Sequence, residues 1–362
     1  MNGWPGRAAV VMTVLSLAVG VAACGGSDGS GSDNGGFAIG LMLPTNGTSR
    51  FGHFDEPLIE QKIKELCGNC TVEYANARAD VAIQRQQMDS MINKGVKVLI
   101  LDAVDPTALR SSVEDMKEAG IPIVAYDRLA EGPISGYVTF DGAQVGEIQA
   151  EALLDAMGDK ANGGRIVMMN GAVTDPNSGW FKRGALSVLD DKVKIAKMYD
   201  TVEWREENAH ANMSGAIAAL GVDGIDGVYA ANDRIASGVI AALKAAEVTP
   251  LPPVTGQDAD LAAVQRIITG DQYMTVYKPF KPEADAAAAM AVALGRGEDI
   301  DGIAKTTVDS ATDKDIPAVL LTPVSVTVDN IRDTILKDGM YTLEEICASE
   351  YRSACDAAGL TK

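Results

Sequence analysis

Short apolar segments alternate with amphipathic stretches along most of the chain. The sequence predicts strands at 37–44, 71–76, 97–103, 121–126, 135–140, 165–171, 193–200, 226–231, 253–257 and 273–278. The stretches between them have helical spacing. In one of them, Asp105 is predicted as N-cap, Pro106 as the first helical residue and Gly120 as the residue after the end. This alternation predicts an α/β fold with parallel sheets, and so many strands predict two doubly wound lobes.

One predicted strand ends in two charged residues. The segment IPIVAY is apolar on both alternating faces and is followed directly by Asp127 and Arg128. A continuous apolar run is typical of a strand that is buried on both faces. Neighbouring residues of a strand point to opposite faces, so pairing between these two does not explain both charges. The segment therefore indicates that something other than their mutual pairing requires these two polar groups at the strand end.

Other predicted strands also end in polar side chains. The segments TNGTSRF and AVTDPNSGW follow two strands, and Asn232, Asp258 and Lys278 follow three others. In doubly wound sheets, ligands bind outside the carboxyl ends of the strands. Carboxylate, amide and guanidinium groups can each bind two hydroxyls, and aromatic rings such as those of Phe51 and Trp204 can stack on a sugar ring. The pattern predicts a site for a polyhydroxylated ligand.

Composition and charge narrow the class of protein. Of the 362 residues, 47% are hydrophobic and 22% are charged, which is enough for a substantial core. The net charge of −19 and the pI of about 4.5 argue against nucleic acid as a partner. The two histidines, His53 and His210, are too scattered to indicate a metal site, and no cofactor motif such as a Walker A loop or dinucleotide fingerprint is present.

The N-terminus predicts export and a lipid anchor. Residues 1–23 contain one arginine and then a short apolar run, which is typical of a secretory signal peptide. The run ends in VAAC, the pattern of a bacterial lipoprotein cleavage site with lipidation on Cys24. Residues 24–36 are rich in Gly and Ser and form a predicted tether with a reach of about 20 Å. The alternative is an ordinary signal peptide with a chance cysteine.

The remaining cysteines predict two local disulfides. An even number of cysteines in an exported chain favours disulfide bonds. The simplest pairs are Cys67 with Cys70 and Cys347 with Cys355. A redox CxxC is disfavoured because no helix begins after it to lower a thiol pKa. A four-cysteine zinc site would require distant segments to meet.

With these features, the chain resembles the periplasmic sugar-binding proteins of ABC importers, of the xylose-binding and multiple-monosaccharide-binding type. The resemblance covers nearly all of residues 37–345. The motifs that carry it are LPTNGTSRF, AYDRL, VTFDGAQVGEIQA, AANDRIASG, VTGQDADLAAVQRIITGDQYMTVYKP and PAVLLTPVSVT. The resemblance implies a type I periplasmic binding protein fold, in which two doubly wound parallel-sheet lobes are joined by a three-stranded hinge.

The resemblance also implies a set of ligand-binding residues. By position, the implied set is Arg50, Phe51, Asp127, Arg128, Asn177, Trp204, Asn232, Asp258 and Lys278. Phe51 stands where the family usually has tryptophan, and Pro176 and Ser178 replace polar neighbours in a loop that is usually rich in Asp and Asn. These departures leave the particular sugar open.

The implied lobes are discontinuous in sequence. The N-terminal lobe is predicted to contain residues 37–130 and 279–321, and the C-terminal lobe residues 131–278 and 322–362. The chain is expected to cross between the lobes near 129–131, 278–280 and 319–323. The expected function is capture of a xylose-like pentose, or a related aldose or polyol, by a lipid-anchored monomer. The monomer then delivers the ligand to an ABC permease.

Several other interpretations of the same residues stay open. Asp127 and Arg128 are also compatible with an ion pair between the lobes, and Asn232 and Asp233 with a helix cap, for which Asp233 is the predicted residue. A sugar sensor that presents its ligand to a membrane receptor would use the same pocket. A glycosidase would need two opposed carboxylates, for which Asp127 and Asp258 are candidates. The export signal and the missing helix-turn-helix exclude a DNA-binding repressor.

Overall fold

The structure is a computed structural model that describes residues 35–46 and 50–361. The predicted signal peptide 1–23, the lipidation site Cys24 and most of the predicted tether 24–36 lie outside the described residues. No helix of the described part is both long and apolar enough to cross a membrane.

Twelve strands and eleven α-helices form the described fold. The strands are β1 Ala38–Leu43, β2 Thr71–Asn76, β3 Val98–Leu101, β4 Ile123–Tyr126, β5 Gly136–Phe140, β6 Arg165–Asn170, β7 Lys194–Asp200, β8 Gly227–Ala230, β9 Thr275–Tyr277, β10 Thr306–Val308, β11 Ile316–Leu321 and β12 Val324–Val326. The helices are α1 Glu56–Leu66, α2 Val81–Lys94, α3 Arg110–Glu118, α4 Gly142–Met157, α5 Pro176–Leu189, α6 Glu206–Leu220, α7 Asp233–Ala245, α8 Leu261–Thr269, α9 Phe280–Arg296, α10 Leu343–Ile346 and α11 Arg352–Ala357.

Three sheets form two lobes of the described residues. The first lobe has seven strands in the order β10-β11-β5-β4-β3-β1-β2, all parallel except β10. The second lobe has the parallel order β7-β6-β8, which isolated bridges at Val254 and Gln257 extend towards β9 and its antiparallel partner β12. The predicted α/β class with two parallel-sheet lobes is therefore confirmed.

The first crossing between the lobes differs from the prediction. The sequence places residues 131–140 in the second lobe, but β5 pairs in parallel with β4 and β11 of the first sheet. Its side chains Tyr137 and Val138 are fully buried between neighbouring strands, which explains why the chain stays in this sheet. The chain crosses only at Asp141, which caps α4. The other crossings use residues 278–279 and 322–323.

Three local predictions also need correction. The predicted strand 253–257 is reduced to single bridges, because Pro252 and Pro253 restrict the backbone as the chain enters this segment. The three strands after residue 300 were not predicted, and Pro317 inside β11 is an argument against a strand in sequence. Helix α3 begins at Arg110, since Asp105 caps the preceding turn by accepting from the N–H of Ala108.

The disulfide pairs are local. The sulfur atoms of Cys67 and Cys70 are 2.00 Å apart at the end of α1, and those of Cys347 and Cys355 are 2.02 Å apart between α10 and α11. These are the two pairs that the sequence favours. The second pair joins short helices that pack with α8 and β12 in one apolar cluster of the second lobe.

Candidate functional site

One cavity between the lobes is lined by all of the residues that were predicted to bind the ligand. Its lining residues are Arg50, Phe51, Asp127, Arg128, Asp175, Asn177, Phe181, Trp204, Asn232, Gln257, Asp258 and Lys278. Most of them follow the carboxyl end of a parallel strand or begin the helix that comes next. Parallel strands place these ends at one edge of each sheet, and the two edges face each other across the cavity.

Arg50 is one of the cavity residues from the first lobe, and it is only 2% exposed. Its Nε donates to Oδ2 of Asp55 at 2.9 Å and its Nη2 to Oε2 of Glu283 at 2.8 Å. Its Nη1 donates to Oδ1 of Asp127 at 3.3 Å. The rings of Phe280 and Phe51 lie 4.5 and 5.1 Å from the guanidinium carbon. These contacts fix the plane of the guanidinium group.

Asp127 presents a charged carboxylate to the cavity. Its φ of 57° turns the chain sharply after β4, and its carbonyl oxygen accepts from the hydroxyls of Tyr137 and Thr139. Burial alone would raise the pKa of Asp127, but Arg50, Lys278 and other nearby cations outweigh burial and hold the pKa below its usual value. Among the described residues, no donor reaches Oδ2, so this oxygen is available to a ligand.

Arg128 bridges the lobes. Its Nε lies 2.8 Å from Oδ2 of Asp175, which caps α5 of the second lobe. Its Nη1 donates to the carbonyl of Ala103 at 3.0 Å, and Asp102 lies 3.6 Å from Nε on the side of the first lobe. The interlobe ion pair that the sequence left open therefore exists for Arg128. Asp127 instead pairs with Arg50 inside its own lobe.

The second lobe supplies an amide and an indole ring. Asn177, in the first turn of α5, donates from Nδ2 to the carbonyl of Asp127 at 3.1 Å, so this contact also crosses the cavity. Trp204 is 9% exposed, and its Nε1 donates to Asp175 at 3.2 Å. A side chain at Gly171 would meet the indole at 2.0 Å, which explains why glycine stands under this ring.

Asn232, Asp258 and Lys278 form the remaining polar wall. Asn232 accepts from the N–H of Ile235 at 3.0 Å and is the N-cap of α7, while its Nδ2 lies 3.5 Å from Asp258. Lys278 lies 2.9 Å from Oδ1 of Asp258. Burial alone would lower the pKa of Lys278, but Asp258 and other nearby carboxylates raise it, so the amine is charged.

Asp233 is not the helix cap that the sequence predicts. It is the first residue of α7, and its buried carboxylate accepts from Gln272 at 2.7 Å, from Thr275 at 2.9 Å and from the N–H of Asp260 at 3.0 Å. An N-cap needs a non-helical backbone, whereas Asp233 already lies inside the helix. Asp233 therefore holds the loop that carries Gln257 and Asp258 to the cavity.

Sequence reasoning missed several residues that shape the site. Asp175, Phe181 and Gln257 line the cavity. Asp175 lies in the strand-end segment AVTDPNSGW and Gln257 is adjacent to Asp258, so both had a local signal, whereas Phe181 had none. Oε1 of Gln257 is buried without a hydrogen-bond partner among the described residues, as expected for an acceptor that faces a ligand. Asp55 and Glu283 lie behind Arg50, and nothing in the local sequence marks them.

Comparison with known proteins gives consistent matches. A profile of the family described as "Periplasmic binding protein domain" matches residues 39–299. The D-xylose-binding periplasmic protein of Escherichia coli (strain K12) is 37% identical over 298 residues, which cover 81% of this chain and 87% of that protein. The multiple sugar-binding periplasmic receptor of Rhizobium radiobacter is 29% identical, with 85% of this chain and 92% of that protein covered.

A solved structure also matches. The ABC transporter solute binding protein of Clostridium phytofermentans with bound β-D-glucose aligns with a TM-score of 0.77 and 27% identity. The alignment covers 85% of this chain and 99% of that one. The profile match and this alignment both extend over strands of the two sheets. The matched proteins are binding proteins by name, which agrees with a binding site and not a catalytic one.

Proposed function

Because the chain belongs to the periplasmic binding protein family, we propose that it captures a monosaccharide or polyol between its lobes and delivers it to the permease of an ABC importer. A xylose-like pentose or a related aldose fits best, since the relatives with sequence matches over most of the chain are named for xylose or for several sugars. The ligand contacts proposed are those of the nine residues that the sequence predicts and that line the cavity.

The observation that carries this proposal is the charge balance of the cavity. Its three cations each have an anionic partner, in the pairs Arg50–Asp127, Arg128–Asp175 and Lys278–Asp258. The charges cancel, so the cavity attracts neither an anion nor a cation strongly. The same groups offer many charge-assisted hydrogen bonds to hydroxyls, and Phe51 and Trp204 add ring faces. A neutral polyhydroxylated ring satisfies both features.

Closure of the cleft follows from how these groups divide between the lobes. Arg50 and Asp127 belong to the first lobe, whereas Asn177, Trp204 and Asp258 belong to the second. A ligand that touches both sets favours the closed form, because only that form makes all of the contacts. The Arg128–Asp175 pair supports the same closed arrangement. The permease then recognises the closed form.

Thermal shift measurements on the purified protein with a panel of pentoses, hexoses, polyols, sugar acids and amino sugars test the proposal. We expect a neutral sugar or polyol to raise the melting temperature, with about 2.7 kcal/mol of stabilisation at one hundred times its dissociation constant. Sugar acids and amino sugars of the same size serve as matched controls and should have little effect. Stabilisation by charged members alone, or by none of the panel, would contradict the proposal.

The glycosidase alternative lacks support in the geometry. The lowered pKa of Asp127 disfavours it as a general acid, and the Asp258 carboxylate forms an ion pair with Lys278. The sensor alternative shares the whole pocket and differs in the membrane partner. Pull-down of either a permease or a receptor with the sugar-loaded protein separates these two roles.

We further propose that the protein acts outside the cytoplasm on a lipid anchor at Cys24. The VAAC pattern supports the anchor, and the two disulfides agree with an oxidising compartment. Replacing Cys24 with alanine should abolish incorporation of a labelled fatty acid and release the protein from the membrane fraction. Ser27→Ala, a change in the same Gly/Ser segment, is the matched control. Equal labelling of the Cys24 variant would disprove lipidation at this residue.

A further inference from the structure

Arg50 is surrounded by more carboxylates than its ligand role requires. Asp55, Glu283 and Asp127 all accept from this one guanidinium group, and Asp55 and Glu283 have no exposed surface. Neither Asp55 nor Glu283 lines the cavity. Burying two carboxyl groups beside one cation is costly unless hydrogen bonds compensate, because each buried polar group loses its hydration.

The donors of Arg50 show what this arrangement does. An arginine side chain has five N–H bonds. Nε donates to Oδ2 of Asp55, and Nη2 donates to Oδ1 of Asp55 at 3.4 Å and to Oε2 of Glu283 at 2.8 Å. One N–H of Nη1 is used by Asp127 at 3.3 Å. Among the described residues, this leaves one N–H of Nη1 for a ligand, next to the open Oδ2 of Asp127.

We propose that Glu283 and Asp55 are positioning residues that hold one edge of the Arg50 guanidinium group, so that Nη1 presents a donor beside the Asp127 acceptor. The proposal rests on the proposed sugar-binding function. A donor and an acceptor side by side match neighbouring hydroxyl groups of a neutral ring, each of which both donates and accepts. Without Glu283, Nη2 loses its shortest contact and the guanidinium plane is free to tilt.

The segment that carries Glu283 strengthens this role. Residues 278–279 cross between the lobes and lead directly into α9, whose first residue Phe280 packs its ring 4.5 Å from the Arg50 guanidinium carbon. Lys278 lines the cavity in the same segment. One crossing therefore brings a ligand contact, a stacking ring and a carboxyl group to the Arg50 site. Tyr126 completes the arrangement by donating to Oδ1 of Asp55 at 2.6 Å.

The protonation state of Glu283 determines which substitution matches it most closely. Burial raises the pKa of Glu283 to about 8, although Arg50 opposes this effect, and Asp127 and Asp55 add to it. Lys278, Tyr126 and Tyr137 are the other titratable groups that interact with it. This shift favours the neutral form of the Glu283 carboxyl group. Glutamine is neutral, has the same shape and keeps an oxygen acceptor for Nη2.

Titration calorimetry with the sugar that gives the largest thermal shift tests the proposal. At pH 7, Glu283→Ala should weaken binding about tenfold or more, as expected when a hydrogen bond to a charged group is lost. Glu283→Gln should stay within about threefold of the parent protein, because the acceptor is retained. Glu118→Ala, at an exposed glutamate on α3, is the control and should bind normally.

A double-mutant cycle separates positioning from a general structural effect. If Glu283 acts through Arg50, Glu283→Ala should cost much less affinity in an Arg50→Lys background, because lysine has no guanidinium plane to orient. Should Glu283→Ala not fold, Tyr126→Phe provides the milder test, since it removes one hydroxyl that orients Asp55. Tyr126→Phe should weaken binding severalfold in the parent protein and should have little effect in the Arg50→Lys background.

The outcomes are distinct. Binding of Glu283→Ala within about threefold of the parent protein would overturn the positioning role, and so would additive losses in the cycle. Equal losses of affinity for Glu283→Ala and Glu283→Gln would show that the oxygen acceptor at position 283 does not orient Arg50, which would also overturn the proposal. If the parent protein binds no sugar in the panel, the proposed function itself fails. That result is independent of any variant.

Discussion

Replacing Asp127 with alanine should weaken sugar binding by at least a hundredfold. Its carboxylate is held charged by nearby cations, and Oδ2 is open to the cavity. The variant would leave Nη1 of Arg50 and the ligand hydroxyls without their acceptor in a closed cleft. Unpaired buried polar groups cost about 1–3 kcal/mol each, so a total of about 3 kcal/mol or more is expected. That energy corresponds to more than about a hundredfold in affinity.

Two variants control for effects on folding and backbone. Asp127 has a φ of 57°, a conformation that asparagine adopts more readily than alanine, so Asp127→Asn removes the charge with little added strain. It should bind with an affinity between those of the parent protein and Asp127→Ala. Asp89→Ala, at an exposed position on α2, should bind normally. Titration calorimetry measures all four proteins, and melting curves check that each variant is folded.

Normal affinity of the Asp127→Ala variant would mean that this carboxylate serves only as a partner of Arg50 within the first lobe. Arg50 would keep Asp55 and Glu283 in that case, so loss of folding is not the expected result. Turnover of a glycoside by the parent protein would instead favour the carboxylate-pair enzyme. Incubating the parent protein with a glycoside before the titration distinguishes the two results.

Replacing Asp233 with alanine should lower the free energy of unfolding by about 3 kcal/mol, because two buried donors and one half-buried donor lose their acceptor at about 1–3 kcal/mol for each buried donor. The donors are the side chains of Gln272 and Thr275 and the N–H of Asp260. A helix cap would be worth only about 1 kcal/mol. Asn232→Ala removes the actual cap and should show that smaller loss. Chemical denaturation of both variants gives the comparison.

The Asp233 variant should also bind sugar less tightly. The loop that Asp233 holds includes Gly256, where an added side chain would lie 2.0 Å from the Asp233 carboxylate, and it carries Gln257 and Asp258 into the cavity. A loss of about 1 kcal/mol or less, with normal binding, would contradict the role of Asp233 in holding this loop. Thr269→Ala, an exposed change at the end of α8, is the control for substitutions in this region.

Much of the candidate site could be predicted because it depends on strand ends. Apolar runs such as IPIVAY mark the buried strands, and a parallel sheet collects their carboxyl ends at one edge. Polar residues that directly follow these runs, such as Asp127 and Lys278, therefore reach the same cavity. Local sequence is sufficient here because the distance from strand to site is one or two residues.

The choice between neighbours could not be predicted in the same way. Asn232 and Asp233 are both good caps by residue type. The structure gives Asn232 the extended backbone that a cap requires, with φ −151° and ψ 175°, and Asp233 the helical one. A shift of one residue in the start of the helix would exchange the two roles.

The sequence by itself determined the α/β class, the two lobes and the strand-end residues of the cleft, because burial and backbone periodicity are local properties of the chain. Only the tertiary structure decided that β5 stays in the first sheet, that Arg128 pairs with Asp175 across the cleft, and that Glu283 supports Arg50. Arg50 and Glu283 are 233 positions apart. Such long-range contacts depend on which surfaces meet when the lobes pack. The residues next to each partner in the sequence do not indicate which distant residue it will contact.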